Sequence, residues 1–426
     1  MAIRPLAGFR QRYNGPMVLK VAVPPDLIGG DVDEGFGKVA DAFRDNFARG
    51  SEVGAALAVY RNGAKVVDLW GGYRDGYSRA PWRRDTMVNV FSSTKGVAAL
   101  AVALAVSRGF FGYDDKVAAH WPEFAQVGKG DITVRQLLGH QAGLSALKPP
   151  PALADVAAPD RLAPLLAAQR PRWAPGTRHG YHAVTLGWYE SELIRRTDPA
   201  GRTLGRFFAE EIARPLGLDL HIGLPSSVSR DQVALLHQWK RAESLLHLSV
   251  MPGALVAAML NPFGLLGRAS SLPRDIKPWD GDYNRDDVRA VEIPSANGIG
   301  TARAIAQLYG AAAGAAPALP LCEDVRDELA AMPAPPSRGE RDKVLGVELV
   351  FNLGLSKPAF GTVFGSSDKA YGTPGFGGSF GFADPDTAIG YSYVMNRLGF
   401  HLHSDPRELA LRQAVFHHVL GARRQA

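Results

Sequence analysis

The sequence predicts an α/β fold in which an antiparallel sheet is flanked by helices and a mainly helical region is inserted into it. Strand patterns lie near both ends of the chain, helical patterns dominate its middle, and its 426 residues exceed the usual size of a single core. Strands at both ends indicate one sheet built from both termini. We therefore expect residues 1–115 and 340–426 to form the sheet region and residues 116–339 to form the inserted helical region.

The first predicted elements are a strand pair and a long helix. Strand patterns cover residues 54–60 and 64–70, and the Asn62-Gly63 pair between them is the strongest short signal for a hairpin turn. Residues 93–108 (STKGVAALAVALAVSR) predict a helix with apolar residues on nearly every face. Such a helix should be buried at the centre of the molecule.

The remaining elements continue the division between a helical middle and a strand-rich end. Helical patterns cover residues 159–216, 245–266 and 301–314. Further on, the patterns predict three strands and a terminal helix, at residues 349–353, 379–383, 388–395 and 406–420. Pro252 and Pro262 interrupt the apolar stretch 245–266, which argues against a membrane span. We expect a mobile flap or the wall of an acyl-chain pocket there, with a buried helix pair as the alternative.

Charge and cysteine content narrow the classes of function. The formal net charge is +6 and the pI about 9.3, but the basic residues are scattered, so no nucleic-acid partner is expected. This mild charge allows only weak contact with an anionic membrane surface. The single cysteine, Cys322, cannot form an internal disulfide, and the N-terminal residues lack the apolar run of a secretory signal. We therefore expect a cytoplasmic protein.

The strongest chemical motif is Ser92-Ser93-Thr94-Lys95, in which a serine precedes a lysine by three residues. On a helix this spacing places both side chains on one face. A serine hydroxyl becomes a good nucleophile when a nearby base removes its proton, and burial lowers the pKa of a lysine enough for that task. At a helix N-terminus, free N–H groups also stabilise a developing anion. The structural alternative is a capping serine followed by a surface lysine.

Three other serines compete with Ser92 as the nucleophile. Ser145 and Ser366 each precede a lysine by three residues, but prolines follow the first pair and no helix pattern follows the second. Ser379 lies in Gly-Gly-Ser-Phe-Gly, which fits the nucleophile elbow of α/β-hydrolases. That motif requires a helix directly after the serine, whereas a strand pattern follows Ser379. We therefore favour Ser92.

Four segments, in order along the chain, resemble the serine β-lactamase and penicillin-recognising superfamily, and most specifically its class C β-lactamase-like esterases, the family VIII carboxylesterases. They are residues 91–96 (FSSTKG), 132–144 (ITVRQLLGHQAGL), 173–181 (WAPGTRHGY) and 371–379 (YGTPGFGGS). Each segment is modestly specific, and their common order carries the resemblance. It extends over roughly residues 50–400 and implies a β-lactamase/transpeptidase-like fold and hydrolysis of carboxylic esters.

The resemblance implies a role for each matching residue. Ser92 matches the serine that is acylated, Lys95 the base that activates it, and Tyr181 the tyrosine that moves protons between nucleophile, leaving group and water. The backbone N–H groups of Ser92 and Phe376 match the oxyanion hole. One donor of this kind contributes about 2.7–4 kcal/mol to transition-state stabilisation in other enzymes.

Two departures from the lactamase pattern indicate neutral substrates. The tyrosine motif is Tyr181-His182-Ala183, without the asparagine that holds a β-lactam side chain. The third motif is Thr-Pro-Gly, so that Thr373 stands where lactamases carry a cation for the substrate carboxylate. The resemblance places Thr373, Gly375 and His182 at the substrate, although His182 also fits a packing role beside the tyrosine.

These residues predict a serine carboxylesterase (EC 3.1.1-type) that hydrolyses neutral short- to medium-chain esters through an acyl-enzyme on Ser92. The alternatives are a β-lactamase or D-amino-acid peptidase, an acyltransferase, and a non-catalytic scaffold of the same fold. Neither a metal nor a cofactor is expected, because the sequence has no metal-ligand spacing and no phosphate-binding glycine loop. The expected partner is a small-molecule ester, and no oligomeric state is predicted.

Overall fold

The computed structural model describes residues 21–239, 245–259, 261, 263–359 and 363–422, and the structural statements below concern these residues. Its strands are β1 (Ile28–Val32), β2 (Gly54–Arg61), β3 (Ala64–Asp75), β4 (Ala80–Pro81), β5 (Val88–Asn89), β6 (Leu220–Ile222), β7 (Gly298–Gly300), β8 (Phe351–Asn352), β9 (Leu355–Ser356), β10 (Tyr371–Pro374), β11 (Phe380–Asp384) and β12 (Ile389–Met395). Its α-helices are α1 (Gly37–Ala48), α2 (Ser93–Ser107), α3 (Val117–His120), α4 (Val134–Leu138), α5 (Leu153–Val156), α6 (Pro159–Ala168), α7 (Thr185–Thr197), α8 (Leu204–Phe208), α9 (Arg214–Leu216), α10 (Gly253–Met259), α11 (Leu265–Ser270), α12 (Asp286–Ala290), α13 (Ala302–Ala312), α14 (Glu323–Ala330) and α15 (Pro406–Gln413).

Strands from both ends of the chain form one antiparallel sheet. Its order is β1-β3-β2-β12-β11-β10-β9-β8, with the short β4 paired to β3. The two ends of the chain meet where β2 pairs with β12, from Ala55 opposite Met395 to Arg61 opposite Ile389. A second, three-stranded sheet joins β5, β7 and β6. The predicted antiparallel sheet with helices is confirmed, while the predicted domain boundaries near residues 115 and 340 stay predictions.

The hairpin between β2 and β3 has the turn that its sequence predicts. Arg61 pairs with Ala64, which leaves Asn62 and Gly63 as a two-residue turn. Both have a positive φ, 50° and 81°, as a type I′ turn requires. Asparagine and glycine adopt this conformation at low cost, so the local sequence sets the register of the first strand pair.

Helix α2 lies at the centre of the molecule, as its apolar surface predicts. It contacts strands β10 and β11 of the sheet and also helices α7 and α8. Residues 93–105 are all buried, and Lys95 is buried with them. The helix begins at Ser93, with Ser92 at its N-cap position. The helical turn that carries the serine–lysine motif is therefore fixed inside the protein.

Helix α13 packs on the sheet through glycine. A Cβ atom on Gly390 of β12 would lie 2.1 Å from the carbonyl oxygen of Ala306 and 2.2 Å from the amide nitrogen of Gly310. Only glycine permits this approach of backbone to backbone. The helix falls within the region predicted as a helical insertion, yet it covers strands β2 and β12.

Three other elements differ in detail from their sequence patterns. The strand predicted at residues 349–353 is shorter, because only β8 forms there and a turn at Leu353 and Gly354, both with positive φ, ends it before β9. The terminal helix begins at Pro406 and continues as a π-helix over Ala414–Val419. The apolar stretch contains α10 and α11, with residues 260 and 262 outside the described residues. No helix among the described residues is long and apolar enough to cross a membrane.

Gly390→Ala should destabilise the protein, because the added methyl group must push α13 away from the sheet. Overpacking of this kind costs about 1–3 kcal/mol, which urea unfolding followed by circular dichroism measures. Gly37→Ala is the matched control, since the Cβ position of Gly37 at the start of α1 is open. The stability of this variant should equal that of the wild type or be slightly higher. Equal stability of the two variants would contradict the close contact at Gly390.

Candidate active site

Ser92 stands at the N-terminus of α2, directly after a strained turn. Phe91 has a φ of 45°, a left-handed conformation that costs about 1–3 kcal/mol for a bulky residue. Asn89 Oδ1 accepts a hydrogen bond from Phe91 N at 2.9 Å, and the hydroxyl of Thr94 donates to Phe91 O. The Phe91 ring also packs edge-on against Phe376. These contacts hold the turn and fix the direction of the Ser92 side chain.

The Ser92 hydroxyl contacts both residues that the sequence analysis pairs with it. Lys95 Nζ lies 3.2 Å from Ser92 Oγ, one helical turn further on. Tyr181 Oη lies 2.8 Å from the same oxygen, although 89 residues separate the two in sequence. The fold therefore brings an amine, an alcohol and a phenol together at distances that permit direct proton transfer.

The amine of Lys95 is buried, and its hydrogen bonds have fixed directions. Its Nζ donates to the carbonyl oxygens of Ala183 at 2.6 Å and Ser295 at 2.9 Å, in addition to its contact with Ser92. Burial lowers the pKa of Lys95 to about 7, against the opposing effect of the Glu190 charge. A large fraction of the side chain is therefore the free amine at neutral pH. In that form two N–H groups stay on the carbonyls and the lone pair points at the Ser92 hydroxyl.

Tyr181 is held through both its backbone and its ring. The buried carboxylate of Asp342 accepts a hydrogen bond from Tyr181 N at 2.8 Å, and two more from N–H groups of its own turn. Phe351 stacks on the tyrosine ring, with ring centroids 5.8 Å apart and planes at 18°. Burial raises the pKa of Tyr181 to about 12, so its phenol keeps the proton at neutral pH. The phenol can therefore act as a proton donor to an oxygen atom.

His182 follows Tyr181, but its ring faces the protein interior. Leu144 N donates to His182 Nε2 at 3.0 Å, which assigns the ring proton to Nδ1, and this atom meets His140 Nδ1 at 3.1 Å. Burial lowers the pKa of His182 to about 3, so the ring is neutral. Both ring nitrogens of His182 form hydrogen bonds within the protein. The predicted contact of His182 with substrate finds no support in this geometry.

The loop between β10 and β11 approaches the start of α2 at a glycine. A Cβ atom on Gly375 would lie 2.3 Å from Val90 O and 2.8 Å from Ser93 Oγ. The loop is closed by a hydrogen bond from Gly375 N to Ser379 O at 2.7 Å, and Ser379 Oγ donates to Val90 O at 2.9 Å. This close approach places Phe376, the next residue of the loop, beside the N-terminus of α2.

The other predicted positions lie in packing or loop environments. Thr373 is buried beneath α2, where its Oγ1 is 3.1 Å from the Cβ position of Gly96, so its side chain belongs to the contact between helix and sheet. Ser379 is followed by strand β11 instead of a helix, so it has no nucleophile-elbow arrangement. Ser145 and Ser366 lie in loops, and neither begins a helix.

Three residues around the site were not predicted from the sequence. Ser295 contributes its backbone carbonyl, which no side-chain pattern reveals. Asp342 lies far along the chain from the tyrosine whose backbone it holds. Glu190 did leave a signal, because it is a charged residue on the buried face of α7 between Leu186 and Leu193. Among the described residues, no group of three or more His, Cys, Asp and Glu side chains is arranged to hold a metal ion.

Comparisons with known proteins match most of the chain. The Beta-lactamase family model matches residues 39–415. The chain is 34% identical to Esterase/beta-lactamase LipL of Mycobacterium tuberculosis, over 87% of this chain and 83% of that protein. The crystal structure of a family VIII carboxylesterase matches with a TM-score of 0.80 at 36% identity, and that of a penicillin-binding protein homologue from Caulobacter crescentus with 0.78 at 38%. Each match covers 92% of this chain and 99% of the solved chain.

The rings of His140 and His182 should stay neutral between about pH 8 and pH 5, because burial holds the pKa of each far below its ordinary value. Two-dimensional ¹H–¹⁵N NMR of the imidazole groups measures this, and His182→Asn assigns the signals by removing one set. Titration of either ring with a midpoint above about pH 5 would contradict the buried, paired arrangement.

Proposed function

The chain belongs to the beta-lactamase family, and from that premise we propose that it is a serine carboxylesterase that hydrolyses neutral short- to medium-chain esters through an acyl-enzyme on Ser92. Family membership confirms the resemblance found in the sequence and the β-lactamase/transpeptidase-like fold. The observation that carries the proposal is the single oxygen, Ser92 Oγ, within hydrogen-bond distance of both Lys95 Nζ and Tyr181 Oη. Relatives named as esterases support the choice of substrate class.

In the first stage an ester acylates the serine. The Lys95 amine takes the proton of Ser92 as Oγ attacks the ester carbonyl carbon. The resulting oxyanion accepts hydrogen bonds from the N–H groups of Ser92 and Phe376, where each donor is worth about 2.7–4 kcal/mol. Tyr181 then gives its phenolic proton to the departing alkoxide and recovers a proton from the Lys95 ammonium. The alcohol leaves, and Ser92 carries the acyl group.

In the second stage water releases the acid. A water molecule loses a proton to the Lys95 and Tyr181 pair as its oxygen attacks the acyl carbonyl, and the same two N–H groups stabilise the second oxyanion. Collapse of this intermediate expels Ser92 Oγ, which takes back a proton, and the carboxylic acid leaves. The amine, the phenol and the serine all return to their starting protonation states.

The preference for neutral esters follows from two positions beside the reacting groups. Ala183 has no side-chain amide, and its carbonyl oxygen is bonded to Lys95. Thr373 stands where lactamases carry a cation, and it is buried under α2. An anionic β-lactam would therefore lack two of its partners. Turnover of nitrocefin well above that of p-nitrophenyl esters would favour the β-lactamase alternative.

Ser92→Ala should lower kcat for p-nitrophenyl esters by at least about a thousandfold, because the reaction loses the atom that is acylated. Ser379→Ala is the matched control; it removes the hydrogen bonds of its hydroxyl to Val90 O and Ser93 Oγ near the site, so we expect a loss of no more than about tenfold. Turnover of p-nitrophenyl esters with a series of acyl lengths measures both effects and shows how long an acyl chain the pocket accepts. Loss of activity in Ser379→Ala alone would overturn the assignment of the nucleophile.

The rate of ester hydrolysis should rise with pH through about 7, because Lys95 must be the free amine to take the serine proton. Below that pH, kcat/KM should fall about tenfold for each pH unit. Tyr181 keeps its phenolic proton, so we expect no loss on the alkaline side up to about pH 9. Initial rates in a pH-stat give the profile, and a flat profile from about pH 5 to 9 would exclude Lys95 as the base.

A further inference from the structure

A second ionisable group lies in the same dry interior as Lys95. Glu190 belongs to α7, which packs against α2, and the residue is only 1% exposed. Neither of its carboxyl oxygens has a hydrogen-bond partner among the described residues. Burying a carboxylate without partners is costly. Glu190 takes no part in the reaction described above.

The carboxyl group of Glu190 lies near Ala99, which is one helical turn after Lys95 on α2. A Cβ atom on Gly354 would be 3.2 Å from Glu190 Oε1 and 3.0 Å from Ala99 Cβ, so these three groups are neighbours. Ala99 follows Lys95 by four residues and lies on the same face of α2. Helix α7 begins just after Ala183, whose carbonyl oxygen accepts a hydrogen bond from Lys95. One helix–helix interface therefore holds both the amine and the acid.

The two groups influence each other's charge. Burial favours the free amine of Lys95 and the neutral acid of Glu190, whereas the charge of each favours the charged form of the other. The result is a pKa of about 7 for Lys95 and about 8 for Glu190. The other titratable groups around Lys95 are His140, His182 and Tyr181, and burial keeps all three uncharged at neutral pH. The amine and the acid therefore titrate as a coupled pair.

We propose that Glu190 is a positioning residue for Lys95: its carboxyl group sets the protonation state of the amine and stabilises the ammonium that forms when Ser92 gives up its proton. This inference rests on the proposed function, in which Lys95 is the base. At about pH 8 and above, where Glu190 is ionised, its carboxylate faces the positive charge that forms as the proton moves from Ser92 Oγ to Lys95 Nζ, across an interface without water where opposite charges attract strongly. Without Glu190 the same proton transfer would create an isolated buried cation.

Glu190→Gln and Glu190→Met test this proposal through the pH dependence of acylation. The rate at which a fluorophosphonate probe labels Ser92 is measured from about pH 5 to 9, beside ester turnover. Removal of the carboxylate lowers the pKa of Lys95, so the acidic limb of both profiles should move about 1 pH unit lower. The plateau should also fall, because a less basic amine accepts a proton less readily.

Glu192→Gln is the matched control on the same helix. Glu192 is buried like Glu190, but its carboxylate is bonded to Arg195 and Arg196. We expect its acidic limb to coincide with that of the wild type. If the Glu190 variants fold and their acidic limbs also coincide with the wild type, Glu190 has only a packing role and the proposal is overturned.

A second measurement does not depend on activity. Because burial raises the pKa of Glu190 from 4.5 to about 8, the folded protein binds this proton more tightly than the unfolded chain, and its contribution to stability falls as pH rises through that range. The Tm of Glu190→Met minus that of the wild type should therefore increase from pH 5 to pH 7. A wild type that is neither labelled nor active would refute the proposed function. A Tm difference that does not change between pH 5 and pH 7 would show that the pKa of Glu190 is not raised in the folded protein and would overturn the inference about Glu190.

Discussion

Water must be excluded from the Lys95 side chain, and the rest of the site depends on this constraint. An exposed lysine carries an ammonium at neutral pH and could not remove a proton from the neighbouring serine. Burial lowers the pKa of Lys95 to about 7, and the carbonyl oxygens of Ala183 and Ser295 bind two of its N–H groups. The apolar surface on every face of α2 is what makes this burial possible. That surface therefore contributes to the chemistry as directly as the lysine does.

The sheet topology explains how distant segments reach the same hydroxyl. Pairing of β2 with β12 joins the two ends of the chain, and the β10–β11 loop is thereby carried to the start of α2. The C-terminal region also secures this loop, because the buried guanidinium of Arg407 donates to Gly377 O at 2.9 Å. Arg407 is itself held by Asp405 and by Glu52, which precedes β2. Both ends of the chain therefore stabilise the loop that carries Phe376.

Features set by residues close together in sequence were predicted correctly, whereas the orientation of side chains that depends on the tertiary fold was predicted less well. The Asn62-Gly63 hairpin and the burial of α2 follow from local rules and are confirmed. The sequence motif also paired Ser92 with Lys95, since three residues on a helix fix their distance. The sequence left His182 between a substrate contact and a packing role, because the direction of its ring depends on the positions of two loops that meet only in the folded chain. The outward or inward direction of a strand residue such as Thr373 depends in the same way on the register of the sheet.

The geometry also separates the groups that we propose for acyl transfer from those that we propose for substrate recognition. Ala183 illustrates this separation, because the contact with Lys95 uses its backbone carbonyl and is independent of the side chain. An alanine in place of the lactamase asparagine at this position would therefore remove the substrate contact that the resemblance implies without disturbing the amine. Thr373 is similar, since a small buried side chain there preserves the packing of β10 against α2. Under the proposed function, a chain with this fold can thus change its preference from anionic lactams to neutral esters while Ser92, Lys95 and Tyr181 keep the same arrangement.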